Sequence, residues 1–231
     1  MPKRFIYISI FFVAIGTAVI YLYLTYGRGS VRTAQTFAFF RDPASRPDLM
    51  MEAGIRCGEA PFSFPTHGLI GFIWDDYFNH HRHQGIDIFG GTDIGITPVT
   101  AAYPGYLTRK SDWKSSVIIR VPSDPLQPGR QIWVYYTHMA DQNGSSYISS
   151  DFPPGTSEVF VDTGALLGYQ GNYSGDTNNP VGVHLHISIV QDNGFGGFKN
   201  ELEIKNTYDP SPYFGLPLNA NTNTDTVPVC N

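Results

Sequence analysis

Apolar and polar positions divide this chain into one long apolar segment at its start and a series of short strand-like runs after it. Helical periodicity is scarce beyond the first segment. Short runs rich in valine, isoleucine and tyrosine recur instead between turns that contain glycine and proline, a pattern typical of β-strands. The 231 residues, with 24 glycines and 17 prolines, allow one substantial domain. We therefore expect a mainly β fold built on an antiparallel sheet.

The apolar start of the chain is long enough to cross a membrane. Residues 5–26 carry no charge over 22 positions, and a helix of that length spans about 33 Å. Tyrosines near its outer end suit the membrane interface. We expect residues 1–26 to form an N-terminal transmembrane helix. A cleaved signal peptide is the alternative, because Lys3 and Arg4 make a basic start.

Shifts in composition divide the rest of the chain. Residues 27–56 are expected to form a juxtamembrane connector, with a short helix around Leu49–Ala53. Residues 57–218 are expected to form the folded domain. Residues 219–231 are expected to form a polar C-terminal tail, extended over Asn219–Thr226.

The cysteines and charged residues indicate the redox compartment of the protein and the class of partner that it binds. Cys57 and Cys230 are the only cysteines, and in an oxidising compartment they could join the tail to the start of the domain. We predict this disulfide, with two free thiols as the alternative. Charged residues make up 15% of the chain and the net charge is −5, with no basic stripe. We therefore expect no nucleic-acid partner.

Two short motifs carry candidate chemistry, His83-Gln84-Gly85-Ile86-Asp87 and His184-Leu185-His186. Valine and isoleucine surround the second motif and favour a β-strand, in which positions two apart share a face. Both imidazoles would then point the same way. On a straight strand His83 and Asp87 would lie about 13 Å apart, too far for one ion. We infer a bend near Gln84-Gly85, where glycine tolerates the backbone angles that a bend requires.

These donors suit a catalytic zinc site, which uses three protein ligands and a water. Zinc lowers the pKa of water to about 7, and a histidine that titrates near pH 6.5 can move the protons of peptide cleavage. The two motifs supply the ligands with one imidazole left over. A hydrogen-bonded histidine pair on an apolar strand is the structural alternative.

Further motifs stand in one order along the chain: Thr97-Pro98-Val99-Thr100-Ala101, Tyr136-Thr137-His138, and a glycine-rich run from Val161 to Gly171. From about Gly68 to Ile189 the chain thereby resembles the lysostaphin/LytM-type zinc metallopeptidases, which cut peptide bonds in bacterial peptidoglycan. The resemblance implies a mainly β metallopeptidase domain, one Zn²⁺ ion and a peptidoglycan peptide substrate. It also implies a domain outside the cytoplasm of a bacterial cell, held by the N-terminal helix.

The resemblance assigns residue roles. It implies that His83, Asp87 and His186 bind the zinc, and that His184 and His138 are the catalytic imidazoles. Our hypothesis is that His184 acts as general base. His138 would orient the attacking water or stabilise the tetrahedral intermediate.

Other candidates are weaker. Some relatives place a tyrosine several residues before the first ligand, so the hydroxyl of Tyr77 could donate to the oxyanion; an ordinary loop aromatic is the alternative. His80 and His81 are expected at the rim of the cleft, where either could substitute as a ligand. His67 is expected in a turn.

The chain departs from the family pattern at three places. Val183 replaces a proline, Ser188 replaces a glutamate, and the segment between Gly171 and His184 is longer and rich in asparagine. None of these changes removes a ligand, so we expect an active hydrolase. A non-enzymatic scaffold or activator of the cell envelope and a carbohydrate- or peptide-binding module are the alternatives. Glycyl bridges and direct stem-peptide cross-links both stay open as the bond that is cut.

Overall fold

The computed structural model describes residues 30–78, 81–223 and 225–230. Within these residues an eight-stranded antiparallel sheet has the order β1-β4-β11-β8-β7-β6-β9, and β12 pairs with β11. Its strands are β1 (Leu69–Phe72), β4 (Ile86–Phe89), β6 (Gly105–Thr108), β7 (Val117–Val121), β8 (Ile132–Thr137), β9 (Val159–Val161), β11 (Leu185–Gln191) and β12 (Thr207–Tyr208). The sheet confirms the expected mainly β, antiparallel architecture.

Smaller elements flank this sheet. Strands β5 (Pro98–Thr100) and β10 (Leu166–Tyr169) form a two-stranded antiparallel pair. Strands β2 (Tyr77–Phe78) and β3 (His81–Arg82) form another, directly before the first histidine motif. Two α-helices are described, α1 (Val31–Arg41) and α2 (Ser211–Phe214), with single 3₁₀ turns at Pro43–Ser45, Pro47–Leu49 and Ile204–Asn206.

Strand alternation gives the sheet a core face and an open face. On β11, Leu185, Ile187 and Ile189 are buried in the main core. The intervening residues, His186 among them, point to the opposite face, because successive side chains of a strand alternate. His186 therefore lies on the open face of the sheet, away from the main core.

The N-terminal segment contains a helix where none was expected. The short helix expected around Leu49–Ala53 is wrong, because Leu49 ends a 3₁₀ turn and Met51 pairs with Gly68 in an antiparallel bridge. Helix α1 lies earlier, and Ser30 caps its N-terminus by accepting a hydrogen bond from the amide of Thr33. Its aromatic residue Phe39 is buried in a small second core with Leu49, Leu69, Phe89 and Val227. The segment thus packs on the sheet.

The C-terminal tail is folded back onto the domain. The expectation of an extended tail is wrong: Asn219 bridges to Trp74, and a turn follows in which the amide of Thr222 donates to the carbonyl of Asn219. Val227 is buried beside α1. Cys230 forms a disulfide with Cys57, with the two Cα atoms 5.4 Å apart, which confirms the predicted pairing.

The expected transmembrane helix, residues 1–26, lies outside the described residues, as does His80. Among the residues that are described, none belongs to a helix that is both long enough and apolar enough to cross a bilayer.

Candidate metal centre

The structure brings the side chains of His83, Asp87 and His186 together on the open face of the sheet. Asp87 on β4 lies directly opposite His186 on β11 in the antiparallel register, so both side chains share a face. His83 comes from the loop before β4, where its amide donates to the carbonyl of Asp76 over 2.8 Å. These three residues form a group that could hold one metal ion.

Gly85 makes this convergence possible. The chain bends at Gly85, between β3 and β4, as expected. The physical reason differs from the one inferred, because Gly85 has no positive φ. A β-carbon there would instead lie 2.2 Å from the carbonyl oxygen of Ile187, so only glycine lets this loop approach β11 closely.

The hydrogen bonds of His83 indicate a cation site. Its Nδ1 lies 3.0 Å from the carbonyl oxygen of Ile73, which can only accept, so Nδ1 carries the proton of the neutral ring. The lone pair on Nε2 then faces Asp87 Oδ1 and His186 Nδ1, each at 3.0 Å. His186 Nδ1 and Asp87 Oδ1 are 2.8 Å apart. Three ligands of a tetrahedral zinc would lie about 3.3 Å apart, so a small expansion of this group fits the ion.

Electrostatics at the group are consistent with that interpretation. Burial raises the pKa of Asp87, but the neighbouring imidazoles of His83 and His184 outweigh it, and the pKa falls well below its ordinary value. Burial lowers the pKa of His83, but the Asp87 carboxylate outweighs it, and the pKa is raised. An ionised Asp87 creates a negative potential at a point where a proton or a metal cation is stabilised.

His184 and His138 lie beside the three donors with their Nε2 atoms available. His184 Nδ1 lies 2.6 Å from the carbonyl oxygen of Gly182, and His138 Nδ1 lies 2.7 Å from that of Tyr173. Each Nδ1 therefore donates, which leaves each Nε2 of the neutral rings unprotonated. The two ring centroids are 4.5 Å apart. Burial, followed by repulsion from the other imidazoles, lowers the pKa of His138 to about 3.

The backbone around His138 is held in an unusual conformation. His138 has φ of 73°, the left-handed region that residues other than glycine rarely adopt. Gly171 lies against this turn, since a β-carbon on it would meet the carbonyl oxygens of Ala140 and His138 at 2.1 and 2.6 Å. Close packing against this turn thus explains why position 171, at the end of the Val161–Gly171 motif, is a glycine.

The histidines open into a cleft of about 1260 Å³. Its lining includes four phenylalanines, Phe39, Phe40, Phe72 and Phe89, and hydroxyl-bearing side chains, among them Ser115, Ser116, Tyr135 and Thr137. Phe89 stacks on His184, with centroids 4.9 Å apart and planes at 27°. Sequence reasoning missed both linings, although the alternation of β4 already places Phe89 on the face of Asp87.

The weaker candidates lie elsewhere. Tyr77 on β2 is 72% exposed and does not line the cleft, so its catalytic role stays a prediction that the geometry does not support. His81 lies at the cleft, as expected for the rim. His67 pairs with Glu52 at 3.2 Å, away from the three donors.

Comparisons with known proteins give structural matches only. No family model matches the chain, and no curated protein does. The catalytic domain of the antimicrobial peptidase lysostaphin from Staphylococcus simulans is similar, with a TM-score of 0.39, 18% identity, and coverage of 64% of this chain and 89% of that one. The catalytic domain of the prophage-encoded M23 protein EnpA from Enterococcus faecalis has a TM-score of 0.38, 20% identity, and coverage of 64% and 95%.

Csd3 from Helicobacter pylori matches with a TM-score of 0.38 and 16% identity. The match covers 72% of this chain but only 35% of the length of Csd3. Lysostaphin and M23-type peptidase domains thus recur among the matched structures. These TM-scores are too low to carry an argument, so the function of the chain is inferred from the side chains of its site.

Proposed function

We propose that this chain is a zinc metalloendopeptidase that hydrolyses peptide bonds in bacterial peptidoglycan and is anchored to the membrane through residues 1–26. The observation that carries the proposal is the convergence of His83 Nε2, Asp87 Oδ1 and His186 Nδ1, 2.8–3.0 Å from one another. A structural histidine pair would not need two further imidazoles with unprotonated Nε2 atoms beside it. Peptide-bond hydrolysis can use such imidazoles to accept and donate protons.

The proposed ligands and the two other histidines have different roles in hydrolysis. Zinc bound by His83, Asp87 and His186 would supply Lewis acidity and make hydroxide available near neutral pH. His184 accepts the proton of the attacking water at Nε2 and later donates it to the departing amine. The carbonyl of Gly182 and Oδ1 of Asp87, 3.5 Å from Nε2, stabilise the imidazolium formed in between. His138, neutral near pH 7 with Nε2 unprotonated, accepts a hydrogen bond from the attacking water and orients it.

The cleft offers matching groups for a peptide. Thr137 lies directly opposite His186 across β8 and β11. Its Oγ1 is 2.7 Å from the hydroxyl of Ser116, which is 2.9 Å from that of Tyr135. These hydroxyls can accept from and donate to a peptide backbone that lies beside the ligands. The assignment to peptidoglycan is supported by the resemblance of the sequence motifs.

Mass spectrometry of defined muropeptides incubated with the full chain, with and without chelator, tests the proposal. We expect shorter products that disappear with chelator and in the His184→Ala variant. The matched control is His67→Ala, which removes an exposed imidazole that does not line the cleft and should cleave normally. Cleavage that survives chelator, or that survives His186→Ala, would contradict the proposal. Muropeptide binding without products would favour the scaffold alternative.

A further inference from the structure

Arg32 on the first turn of α1 connects the N-terminal helix to the metal centre. The residue is only 8% exposed. Its Nη1 donates to the carbonyl oxygen of Gly71 at 2.9 Å and to Asp76 Oδ2 at 2.7 Å, while Nη2 donates to Asp76 Oδ1. The guanidinium thus donates to both oxygens of the Asp76 carboxylate, a bidentate geometry that fixes the orientation of the pair as well as its distance.

Asp76 in turn holds the loop that positions His83. Its Oδ2 accepts from the amide of Ile73 at 2.8 Å. The carbonyl of Ile73 accepts from His83 Nδ1, and the carbonyl of Asp76 accepts from the amide of His83. Asp76 and the turn it closes therefore fix both the main chain and the ring of His83.

We infer that Arg32 is a positioning residue for the metal centre. Arg32 holds the Asp76 carboxylate in place, and Asp76 in turn holds the turn that contains Ile73. The Ile73 carbonyl then keeps the proton of His83 on Nδ1, so that Nε2 faces Asp87 and His186. The inference rests on the proposed function only in taking His83 as a metal ligand. Groups that orient a ligand histidine through its second nitrogen typically contribute 10- to 100-fold to metal affinity.

Arg32 lies outside residues 68–189, the segment whose motifs carry the resemblance. Helix α1 precedes that segment, yet its first turn reaches the loop of His83 and its Phe39 and Phe40 line the cleft. A soluble form that begins at Leu49 would lack Arg32. We therefore expect it to bind metal more weakly than a form that retains α1.

Two variants of the full chain test the role of Arg32. Arg32→Met removes the guanidinium, and Arg32→Lys keeps the charge but loses the bidentate fork. For Arg32→Met we expect zinc affinity, measured by competition with a chelator, to fall 10- to 100-fold. The absorption spectrum of the Co²⁺-loaded protein should change as well. Arg32→Lys should restore part of the affinity.

Two controls separate positioning from general destabilisation. Arg46→Met removes an exposed ion pair with Asp48 at 2.9 Å, outside the metal centre. Val161→Ala removes buried methyl groups from β9, at the edge of the sheet opposite β1. Neither should alter zinc affinity. If Val161→Ala weakens binding as much as Arg32→Met does, or if Arg32→Met leaves affinity and spectrum unchanged, the inference is wrong.

A second readout does not depend on catalysis. In the metal-free protein, at a pH high enough for the His83 ring to be neutral, ¹⁵N NMR of the ring should report protonation at Nδ1 in the wild type and a mixture of tautomers in Arg32→Met. If the wild type cleaves no muropeptide while Arg32→Met shifts the tautomer, the proposed function fails and the positioning role stands. If the wild type cleaves but tautomer and affinity survive Arg32→Met, the positioning role fails alone.

Discussion

Gly171 pairs with His184 in an antiparallel bridge, and the other side of its Cα lies against the carbonyl oxygens of His138 and Ala140. The backbones that carry the two proposed catalytic imidazoles therefore meet at a residue without a side chain. Their rings lie with centroids 4.5 Å apart. This separation depends on the close approach at Gly171.

Gly171→Ala should separate the two imidazoles. The new β-carbon would lie 2.1 Å from the Ala140 carbonyl oxygen, so the backbone must shift. We expect a loss of about 1–3 kcal/mol in the free energy of unfolding. Turnover should fall while zinc stays bound, because no ligand is touched. Gly105→Ala on β6 is the matched control, since its β-carbon would lie 2.4 Å from the carbonyl oxygen of Arg120, outside the metal centre. Equal turnover in both variants would contradict this account.

The proposed metal ligands and the proposed general base should respond differently to removal. His184→Ala should retain zinc while turnover falls about 10²- to 10⁴-fold, because only the proton transfer is lost. His83→Ala, Asp87→Ala and His186→Ala should each lose the metal. Elemental analysis beside turnover measures both quantities. Metal loss in His184→Ala would assign this imidazole to the ligand set instead.

The disulfide should stabilise the fold without touching the site. Cys57 and Cys230 are 173 residues apart in sequence, and closing so long a loop contributes about 5 kcal/mol at most in the chain-entropy model. Reduction should therefore lower the midpoint of denaturant unfolding. The Cys57→Ser/Cys230→Ser variant should unfold at the midpoint of the reduced wild type and be insensitive to reductant. A reductant effect that persists in this variant would show another cause.

Acid should weaken the attachment of α1. Burial raises the pKa of Asp225, but hydrogen bonds from Ser30 and from the amides of Val31 and Arg32 outweigh it, so the pKa lies below its ordinary value. A lowered folded pKa means that the stabilisation is present above the unfolded value of about 3.9 and is lost as the pH falls through the folded pKa.

Thermal unfolding of the wild type and Asp225→Asn across pH measures this loss. The wild type should be more stable above about pH 5, and the difference should shrink below about pH 4. A difference that stays constant to the lowest pH at which the protein folds would contradict the capping role of Asp225.

Local sequence signals predicted much of the centre. The alternation around His184-Leu185-His186 predicts a strand with both imidazoles on one side, and β11 begins at Leu185 with His186 on the open face. The spacing of His83 and Asp87 required a bend, which the structure has at Gly85. The pairing of Asp87 with His186 could not be predicted from local pattern alone, since register between distant strands is a tertiary property.

Helix α1 escaped prediction because long-range contacts hold it. Phe39 is buried, while Phe37 and Phe40 stay 51% and 41% exposed, so the helix shows no clear apolar stripe. Asp225, nearly two hundred residues away in sequence, hydrogen bonds to its first turn. Local sequence pattern does not predict the ion pair of Arg32 with Asp76 either, because these two residues are also far apart in the sequence. Sequence periodicity does not report such contacts.

Anomalous scattering at the zinc edge from a crystal of the metal-loaded protein tests the central claim most directly. We predict one peak about 2.0–2.2 Å from His83 Nε2, Asp87 Oδ1 and His186 Nδ1, with His184 and His138 outside bonding distance. A peak bonded to His184 or His138, or no peak among these three residues at saturating zinc, would contradict the claim.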